Sequence, residues 1–536
     1  MQMMRRTIHK GFIGSIAAVA LLAACQKESV NSDGGSPYGE PVLPAISFAE
    51  ERALTPGKGF ANDEITIKGK GFLAVKDRLV IQFGGTAGTI VSVTDSTVKV
   101  RIPELGSTGA VSAQVGQEFY YGPFFPVLGP LQMDTVYPGF RGANGQILNV
   151  MPVPGDKYMI AGSFTEYDNS AIKGGVNRLA RINADGTLDR TYTYGENLGP
   201  TGGYIRPMVY LPDEKKYLIG GSFSGYDQVT NVHCIAKVNT NGGVDNVSVL
   251  RPSGATVATS ALAGGFRGGV REIFLQKDGK IMVVGDFKFY VKPNYKLQTV
   301  ELKTDSMHLD STAVFQIARL HPDGELDSSY HYDLANHQGK VTVNAPISSA
   351  VLLPDDKLLI AGNFTTYGGQ PAPHIARLNP DGTLDQSFNP GSGADLVIFD
   401  MLVQPDGKII CAGRFTRFNG AKAIGLVRLE ANGAIDPTFN VGDGADGYAL
   451  KINRLPGGEL LVAGIFRKFA GVSRNNFVVL TAEGAVHKSY NSNGGITNGF
   501  VEQVIPMVGQ KAALMVGSFT QFDFRSANRI VKMKYQ

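Results

Sequence analysis

Seven copies of one short pattern constrain the fold of this chain more than any other feature. In each copy a glycine, any residue and a phenylalanine close an apolar run, and the copies follow one another at a spacing of roughly 50–75 residues. The seven copies are Gly162/Phe164, Gly221/Phe223, Gly285/Phe287, Gly362/Phe364, Gly413/Phe415, Gly464/Phe466 and Gly517/Phe519. Such a repeat is typical of a solenoid or a propeller, in which each unit buries its apolar surface against the next.

The copy between residues 347 and 391 shows the strands of the repeat most clearly. Its four short apolar runs lie at residues 350–353, 358–364, 375–378 and 383–388. The segments after the first and third runs are rich in Pro, Asp and Gly, which favour tight turns. Four runs between turns predict four antiparallel strands, as in one propeller blade, and seven units lie within the usual number of blades.

The two ends of the repeat region favour a propeller over a solenoid. The seventh repeat stops at residues 530–536, which match only the third strand, so its fourth strand is missing. Residues 131–137, before the first repeat, resemble the fourth-strand segment 382–388. We therefore expect an N-terminal strand to complete the last blade and close the ring, which removes the exposed sheet edges.

A cation in the third strand and an aspartate eight residues later, in the fourth, recur in most repeats. The pairs are Arg181/Asp189, Lys237/Asp245, Arg319/Asp327, Arg377/Asp385 and Arg428/Asp436, and Lys532 with Asp134 would pair across the closure. The sixth repeat lacks both members, having Val479 and His487 instead. Opposite charges on facing strands stabilise a sheet, so we interpret them as structural cross-strand pairs. The alternative is that they bind a ligand.

The repeat also resembles a known family. Residues 404–410, Gln-Pro-Asp-Gly-Lys-Ile-Ile, followed by Gly413 and Phe415, are similar to units of the delta-60 repeat family. The resemblance covers about residues 131–536 and implies a β-propeller, with no single chemistry attached to it. We assign residues 129–536 to a seven-bladed propeller.

Residues 43–128 form a separate all-β unit. Residues 64–69 alternate between polar and apolar, and residues 79–83 and 97–102 do so less strictly, with glycine-rich turns between them. This pattern predicts a small β-sandwich. Matching pieces at residues 56–57, 65–72, 83–85 and 91–96 resemble the IPT/TIG immunoglobulin-like family. The predicted fold class is all-β: an IPT/TIG-like sandwich followed by a seven-bladed propeller closed by an N-terminal strand.

Residues 1–25 have the pattern of an export signal. Basic residues Arg5, Arg6 and Lys10 precede an apolar stretch at 12–22 that is too short to span a membrane. Residues 22–25, Leu-Ala-Ala-Cys, resemble a bacterial lipobox, which implies cleavage before Cys25 and its lipidation. An ordinary secretory signal is the alternative. Gln26 in place of aspartate implies the outer membrane, and residues 26–42 have the composition of a flexible tether.

Composition and motifs argue against several classes of function. The net charge of +4 and the lack of any Lys/Arg run exclude nucleic acid as a partner. Each Asp-Gly turn offers one or two carboxylates, too few for a calcium loop. The sequence has no His-x-x-x-His motif and no Gly-x-Ser-x-Gly elbow. We therefore predict no catalytic residue, metal or cofactor, although a propeller can bring carboxylates of distant repeats together at its axis.

The loops between second and third strands are the predicted binding surface. The third repeat carries the largest insertion, at about residues 288–313, and the link at 250–270 is also long. Long loops on a rigid scaffold commonly bind ligands. Seven aromatics lie three residues after the motif phenylalanine, and an eighth lies in the insertion: Tyr167, Tyr226, Tyr290, Tyr367, Phe418, Phe469, Phe522 and Tyr295. They are candidates for sugar stacking; the alternative is core packing at the blade rim.

Three functional hypotheses remain open. The first is a non-catalytic, surface-anchored lipoprotein that binds glycan for a polysaccharide-capture system, because the whole chain resembles accessory lipoproteins of such systems in Gram-negative polysaccharide degraders. The second is a protein–protein scaffold that contacts an outer-membrane transporter or other lipoproteins. The third is a propeller-type polysaccharide lyase or hydrolase. In each case we expect attachment to the outer membrane through Cys25, on its periplasmic or cell-surface side.

Overall fold

The computed structural model describes residues 45–137, 142–294 and 308–535, except residues 196, 231, 252 and 263. The predicted signal, Cys25 and the tether at 26–42 lie outside the described residues. Within the described part, strands and turns make up almost the whole chain, and the one helix is a 3-10 helix at Leu73–Arg78. No helix in this part is long and apolar enough to cross a membrane.

The first domain is the expected β-sandwich. One sheet contains Ser47–Phe48, Leu54–Thr55, Glu64–Lys70, Thr97–Arg101 and Thr89–Val93. The other contains Glu118–Phe125, Gly109–Val115, Leu79–Phe83 and Thr86–Ala87, and a short parallel pair joins Val127–Leu128 to Gly59–Phe60. Every second residue of a strand faces inward, so Ile65, Ile67, Ile81, Phe83 and Val98 fill the space between the sheets.

Seven sheets follow the sandwich, and we number them as blades 1 to 7 in chain order. The inner strands are Ile147–Val153, Tyr204–Leu211, Val270–Leu275, Ile347–Leu352, Ile398–Val403, Tyr448–Arg454 and Val501–Pro506. The middle strands are Lys157–Gly162, Lys216–Ser222, Ile281–Gly285, Leu358–Gly362, Ile409–Gly413, Leu460–Ile465 and Ala512–Gly517. The third strands are Leu179–Asn183, Ile235–Asn239, Ile317–Leu320, Ile375–Leu378, Leu426–Leu429, Phe477–Leu480 and Ile530–Tyr535.

The loops and links add short strands at the periphery of the blades. Small hairpins in the second-to-third loops are Gly225–Tyr226/Val229–Thr230, Thr366–Tyr367/Gln370–Pro371, Arg417–Phe418/Ala421–Lys422, Lys468–Phe469/Val472–Ser473 and Gln521–Phe522/Arg525–Ser526. Two of these hairpins gain a third strand from the preceding link: Pro200–Thr201 in blade 2 and Ile496–Thr497 in blade 7. The link after blade 3 contains Tyr332–Asp333 paired with Gln338–Gly339.

The fourth strand differs from the sequence prediction in blades 1 to 6. In blade 4 the fourth segment meets the third strand at a single bridge, between Leu378 and Leu384. The next residue, Asp385, accepts hydrogen bonds from the backbone N–H and the hydroxyl of Ser387 through its carboxylate. This local turn leads the chain away from the sheet, so pairing stops after one residue.

Blade 7 has a true fourth strand, taken from the N-terminal side of the propeller. Leu131–Met133 pairs antiparallel with Ile530–Tyr535, with Leu131 opposite Tyr535. The inner strands of consecutive blades contact one another, including those of blades 7 and 1. One apolar cluster contains Ile147 of blade 1 and Leu514 of blade 7. A closed ring requires contacts of this kind, and closure in solution stays a prediction.

The sandwich packs against blades 6 and 7. The Thr108 N–H donates to the Ser492 carbonyl at 2.7 Å, and Arg474 Nη2 donates to the Leu105 carbonyl at 3.0 Å. Arg474 is only 4% exposed, and burial lowers the pKa of its guanidinium to about 10. The rings of Phe124 and Phe524 meet edge to face at 5.3 Å between centroids. The sandwich is therefore fixed beside the loops of these two blades.

Candidate functional site

The predicted ring of ligand-stacking aromatics is wrong. The seven residues at the fixed offset are at most 4% exposed: Tyr167, Tyr226, Tyr290, Tyr367, Phe418, Phe469 and Phe522. Tyr167 Oη donates to the Gly186 carbonyl at 2.7 Å, and Tyr290 Oη does the same to Gly324 at 2.9 Å. Each tyrosine ties the second-to-third loop to the third-to-fourth turn of its own blade, so its ring has no free face. Tyr295 lies outside the described residues.

The phenylalanines at the same offset pack against other rings of the core. Phe418 meets the motif residue Phe415 at 6.3 Å between centroids, and Phe469 meets Phe466 at 5.9 Å, both edge to face. Edge-to-face contacts of this kind stabilise a core. The offset of three residues therefore encodes packing at the blade rim, the alternative that the sequence left open.

Four of the predicted charge pairs are in contact. The Nε–Oδ2 distances are 2.6 Å for Arg181–Asp189, 2.7 Å for Arg319–Asp327, 2.7 Å for Arg377–Asp385 and 2.6 Å for Arg428–Asp436. Each arginine also reaches the next blade. Arg377 Nη1 donates to the Ala431 carbonyl at 2.6 Å, and Arg428 Nη1 donates to that of Ala482 at 2.6 Å. These side chains connect neighbouring blades and serve the fold.

Blades 2, 6 and 7 depart from this arrangement. In blade 2 the predicted pair of Lys237 with Asp245 is wrong. Lys237 has no forked guanidinium, and its Nζ lies 2.8 Å from Glu214 Oε1 instead. Asp245 Oδ2 lies 2.7 Å from Lys216 Nζ. In blade 6 the Asn491 amide replaces the ion pair, bonding the backbone N–H and carbonyl of Val479. In blade 7 the predicted pair forms, with Asp134 Oδ2 at 3.8 Å from Lys532 Nζ, and a second lysine, Lys534, lies closer to the same oxygen, at 3.0 Å.

Charged residues of distant repeats meet at the axis. Every inner strand carries a β-bulge just after its first residues. A bulge changes the direction of the side chains beside it, and here it does so at the equivalent position of all seven blades. Arg206 Nη2 of blade 2 lies 3.2 Å from Glu502 Oε2 of blade 7. Lys451 Nζ of blade 6 lies 3.5 Å from Asp400 Oδ1 of blade 5. Side chains more than 290 residues apart thus form one axial cluster.

Glu272 of blade 3 completes the axial cluster. Burial raises the pKa of its carboxyl above the usual value, although Arg206 and Lys451 act in the opposite direction, and the Asp400 carboxylate raises it further. A buried carboxyl group with a raised pKa holds its proton more tightly than an exposed one. This convergence could be expected only from the general geometry of propellers, which brings distant repeats together at the axis.

A groove of about 600 Å³ opens between blades 6 and 7 on the side of the links and second-to-third loops. Its lining includes Asp446, Tyr448, Ile465, Arg467, Asn475 and Asn498. The Tyr448 ring is half-buried, and the Arg414 guanidinium of blade 5 stacks on it at 4.8 Å from the ring centroid. One aromatic ring, an apolar side chain and several amide and charged groups therefore face the same space.

Two substitutions in the repeat distinguish blade 6 from its neighbours. In blades 4 and 5 the residue after the motif phenylalanine is a threonine whose hydroxyl bonds a side chain of the link before the blade. Thr365 Oγ1 accepts from Asn344 Nδ2 at 2.9 Å, and Thr416 Oγ1 donates to Asp395 Oδ2 at 2.7 Å. Blade 6 has the exposed Arg467 at this position. The middle residue of its Gly-x-Phe motif is Ile465, which is 55% exposed. Comparison of the repeats with one another was the signal that would have revealed this groove.

A second groove lies beside the predicted insertion. Phe289–Asn294 pairs with His308–Ala313 and with Gly265–Arg267, and residues 295–307 lie outside the described part. The link before it forms a hairpin of Asn246–Leu250 and Thr256–Ser260. A groove of about 390 Å³ runs between these elements, lined by residues that include Val247, Leu262, Lys292, Asn294 and Asp310.

No group of three or more His, Cys, Asp or Glu side chains that could hold a metal occurs among the described residues. Cys234 and Cys411 are free thiols, and burial raises the pKa of both. The Asp-Gly turns use their carboxylates locally, each accepting a hydrogen bond from the backbone N–H two residues later; the aspartates are Asp185, Asp278, Asp323, Asp381 and Asp406. We find no cofactor chemistry in these turns.

Comparison with solved structures finds similarities whose TM-scores are below 0.5. The WD40 beta-propeller domain of Doa1 is 15% identical, with 76% of this chain and 97% of that chain covered and a TM-score of 0.42. YCF48 bound to D1 peptide is 10% identical, with 76% and 96% covered and a TM-score of 0.40. An auxiliary nutrient binding protein from Bacteroides thetaiotaomicron is 11% identical, with 92% and 99% covered and a TM-score of 0.32.

No curated protein sequence matches this chain. A family model described as a domain of unknown function (DUF5122) beta-propeller matches residues 156–192, 353–388 and 404–439. A model of the IPT/TIG domain matches residues 52–125. The matches to an IPT/TIG domain and, in three segments, to a DUF5122 β-propeller agree with the all-β fold of the described residues.

Proposed function

We propose that this protein is a non-catalytic lipoprotein of the outer membrane that binds glycan in the groove between blades 6 and 7. The observation that supports this proposal is the half-buried Tyr448 ring among hydrogen-bonding side chains. A sugar ring presents an apolar face that packs on an aromatic ring, and hydroxyl groups that bond amides and charged groups. Asn475, Asn498 and Asp446 supply such groups within the groove.

The binding proposal is tested with the chain from residue 26 onward on native gels cast with a panel of polysaccharides. Retardation by at least one polysaccharide that is reduced in Tyr448→Ala supports the proposal. Tyr204→Ala is the matched control, because Tyr204 is also half-buried and begins the inner strand of blade 2. Migration unchanged by every polymer contradicts glycan binding.

The anchor is a separate part of the proposal. Lipidation of Cys25 would attach the chain to the outer membrane, and several acyl chains bind a bilayer firmly, at about 0.8 kcal/mol per buried methylene. Cells supplied with radiolabelled palmitate should label the wild-type protein and not Cys25→Ser. Equal labelling of both forms contradicts the assignment of Cys25.

The axial cluster favours an enzyme as the second candidate function. Glu272, with its raised pKa, would act as an acid and Asp400 as the second carboxyl group in cleaving a glycan bound at the axis. Turnover of a polysaccharide that is abolished in Glu272→Gln supports this candidate. Binding without turnover leaves the non-catalytic proposal in place.

The hairpins of blades 2 and 3 favour a protein scaffold as the remaining candidate. Val247, Leu250 and Phe289 are 48%, 66% and 42% exposed, and such apolar side chains are suited to a protein partner. Cross-linking on intact cells from a cysteine placed at residue 250 tests this candidate. The scaffold candidate is supported if the cross-linked partner is an outer-membrane transporter and the purified protein binds no polysaccharide.

A further inference from the structure

We infer that the glycan of the proposed groove is acidic, and that its carboxylate or sulfate group is held by Arg467 together with Arg414. The inference rests on the proposed function and names the ligand class of the same site. It depends on three observations: the position of the two guanidinium groups, the absence among the described residues of a carboxylate paired with either, and the uncharged amide and hydroxyl groups of the groove.

One arginine stacks on the Tyr448 ring, and the other lines the groove together with that ring. Arg414 stacks on the Tyr448 ring from blade 5, at 4.8 Å from the centroid. Arg467 lines the groove with Tyr448 and belongs to the second-to-third loop of blade 6. A sugar packed on the groove side of Tyr448 therefore shares the groove with the Arg467 guanidinium, and the Arg414 guanidinium stacks on the same ring. The planar guanidinium fork bonds both oxygens of a carboxylate or sulfate, which makes arginine suited to such groups.

Some arginines of other blades form ion pairs. At the axis Arg206 contacts Glu502 at 3.2 Å, and Arg271 contacts Asp286 at 3.3 Å. Within the described part of the chain neither Arg414 nor Arg467 forms an ion pair, and both side chains are exposed. Their charge is available to a ligand.

The one carboxylate that lines the groove is engaged by the backbone. Asp446 Oδ1 accepts hydrogen bonds from the N–H groups of Arg467 and Lys468 at 2.8 and 2.9 Å. It thus holds the loop in place, as Asp395 does in blade 5. The other polar lining groups, such as Asn475, Thr497 and Asn498, are uncharged. The groove therefore has the Arg467 guanidinium for an anion and neutral groups for sugar hydroxyls, beside one carboxylate that the backbone holds.

The test uses polymers that differ in charge alone. The chain from residue 26 onward is titrated with polygalacturonate, with its fully methyl-esterified form, with a sulfated galactan and with the neutral galactan of the same linkage. We expect at least tenfold tighter binding to one charged polymer than to its neutral partner, and the pair concerned identifies the anionic group as carboxylate or sulfate.

Variants distinguish a specific contact from general attraction. Arg467→Gln should weaken binding of the charged polymer at least tenfold, and Arg414→Gln should weaken it several-fold. Lys468→Gln removes the same charge from the adjacent exposed residue and should change binding less than twofold. Equal losses in Arg467→Gln and Lys468→Gln overturn the inference.

The remaining outcomes separate the inference from the function on which it rests. Equal binding of charged and neutral polymers, reduced in Tyr448→Ala, overturns the acidic ligand and leaves glycan binding intact. Failure to bind any polymer of the panel used for the native gels overturns both.

Discussion

Replacing Asp436 by asparagine removes one charge from the contact that joins blades 5 and 6. Asp436 Oδ2 lies 2.6 Å from Arg428 Nε and 2.8 Å from Lys408 Nζ, and Oδ1 accepts two hydrogen bonds from Thr438. The Asp436 and Arg428 side chains are 1% and 9% exposed. Removing one partner of a buried ion pair costs about 3–5 kcal/mol, because the other charge stays buried and uncompensated. Since Lys408 is partly exposed and the asparagine keeps the bonds to Thr438, we expect a loss of about 3 kcal/mol.

The loss should depend on pH. Burial alone would raise the pKa of Asp436, but the bonds from Lys408, Thr438 and Arg428 outweigh it and hold the pKa below the usual value. A group whose pKa is lowered in the folded state stabilises the fold above its unfolded pKa, at about 3.9, and this contribution is lost as the pH falls through the folded pKa. The difference between wild type and Asp436→Asn should be constant from pH 5 to 8 and shrink below about pH 4.

Urea unfolding followed by circular dichroism measures this difference. Asp443→Asn is the control, because Asp443 is 81% exposed and contacts only the exposed Lys422. It should leave the midpoint unchanged, since pairs at the surface contribute little. A loss in Asp436→Asn below about 1 kcal/mol, or one that persists unchanged below pH 3, would refute the view that this pair is a buried ionic link.

Two further predictions concern the propeller. Deleting residues 131–137 should lower the unfolding midpoint of the propeller more than deleting the sandwich at 43–128, because it removes the fourth strand of blade 7; equal effects would contradict closure by the N-terminal strand. Tyr167→Phe should cost about 1 kcal/mol, because the buried bond to the Gly186 carbonyl is lost, whereas Tyr121→Phe, at a residue that is 76% exposed, should leave the urea midpoint unchanged.

Much of the fold could be predicted because its determinants are local and repeated. The Gly-x-Phe motif, the turns and the charge spacing recur in each blade, and a repeat that lacks a strand shows where the chain must supply one. The Arg428/Asp436 pair could be predicted for the same reason, since a short hairpin fixes which residues are opposite. Its third contact, from Arg428 to the Ala482 carbonyl, could not, because that contact depends on how blades pack.

The candidate site was harder to predict because it is made by several blades. Tyr367 was expected to face a ligand, yet its hydroxyl bonds the Gly382 carbonyl inside the blade, and sequence periodicity does not show which way a loop hairpin folds. The axial contact of Arg206 with Glu502 joins blades 2 and 7. The unusual residues of the groove could have been found by a closer comparison of the repeats, because Arg467 occupies a position at which the neighbouring blades have threonine.

The same comparison explains why blade 4 has a shorter fourth strand than expected. An aspartate followed two residues later by Ser or Thr is a turn signal, since the hydroxyl and the backbone N–H both bond the carboxylate. The sequence interpretation treated Asp385 as a strand residue paired with Arg377. Asp385 forms that pair through Oδ2. Its Oδ1 accepts the two bonds from Ser387, and this turn ends the strand.

The most direct test of the account is calorimetric titration with an oligosaccharide prepared from whichever polysaccharide retards the protein. Wild type, Tyr448→Ala and Tyr204→Ala are compared at the same ionic strength. We predict at least a tenfold loss of affinity in Tyr448→Ala and less than a twofold change in Tyr204→Ala, because only Tyr448 lines the groove between blades 6 and 7. Unchanged affinity in Tyr448→Ala would place the ligand elsewhere on the molecule and contradict the proposed site.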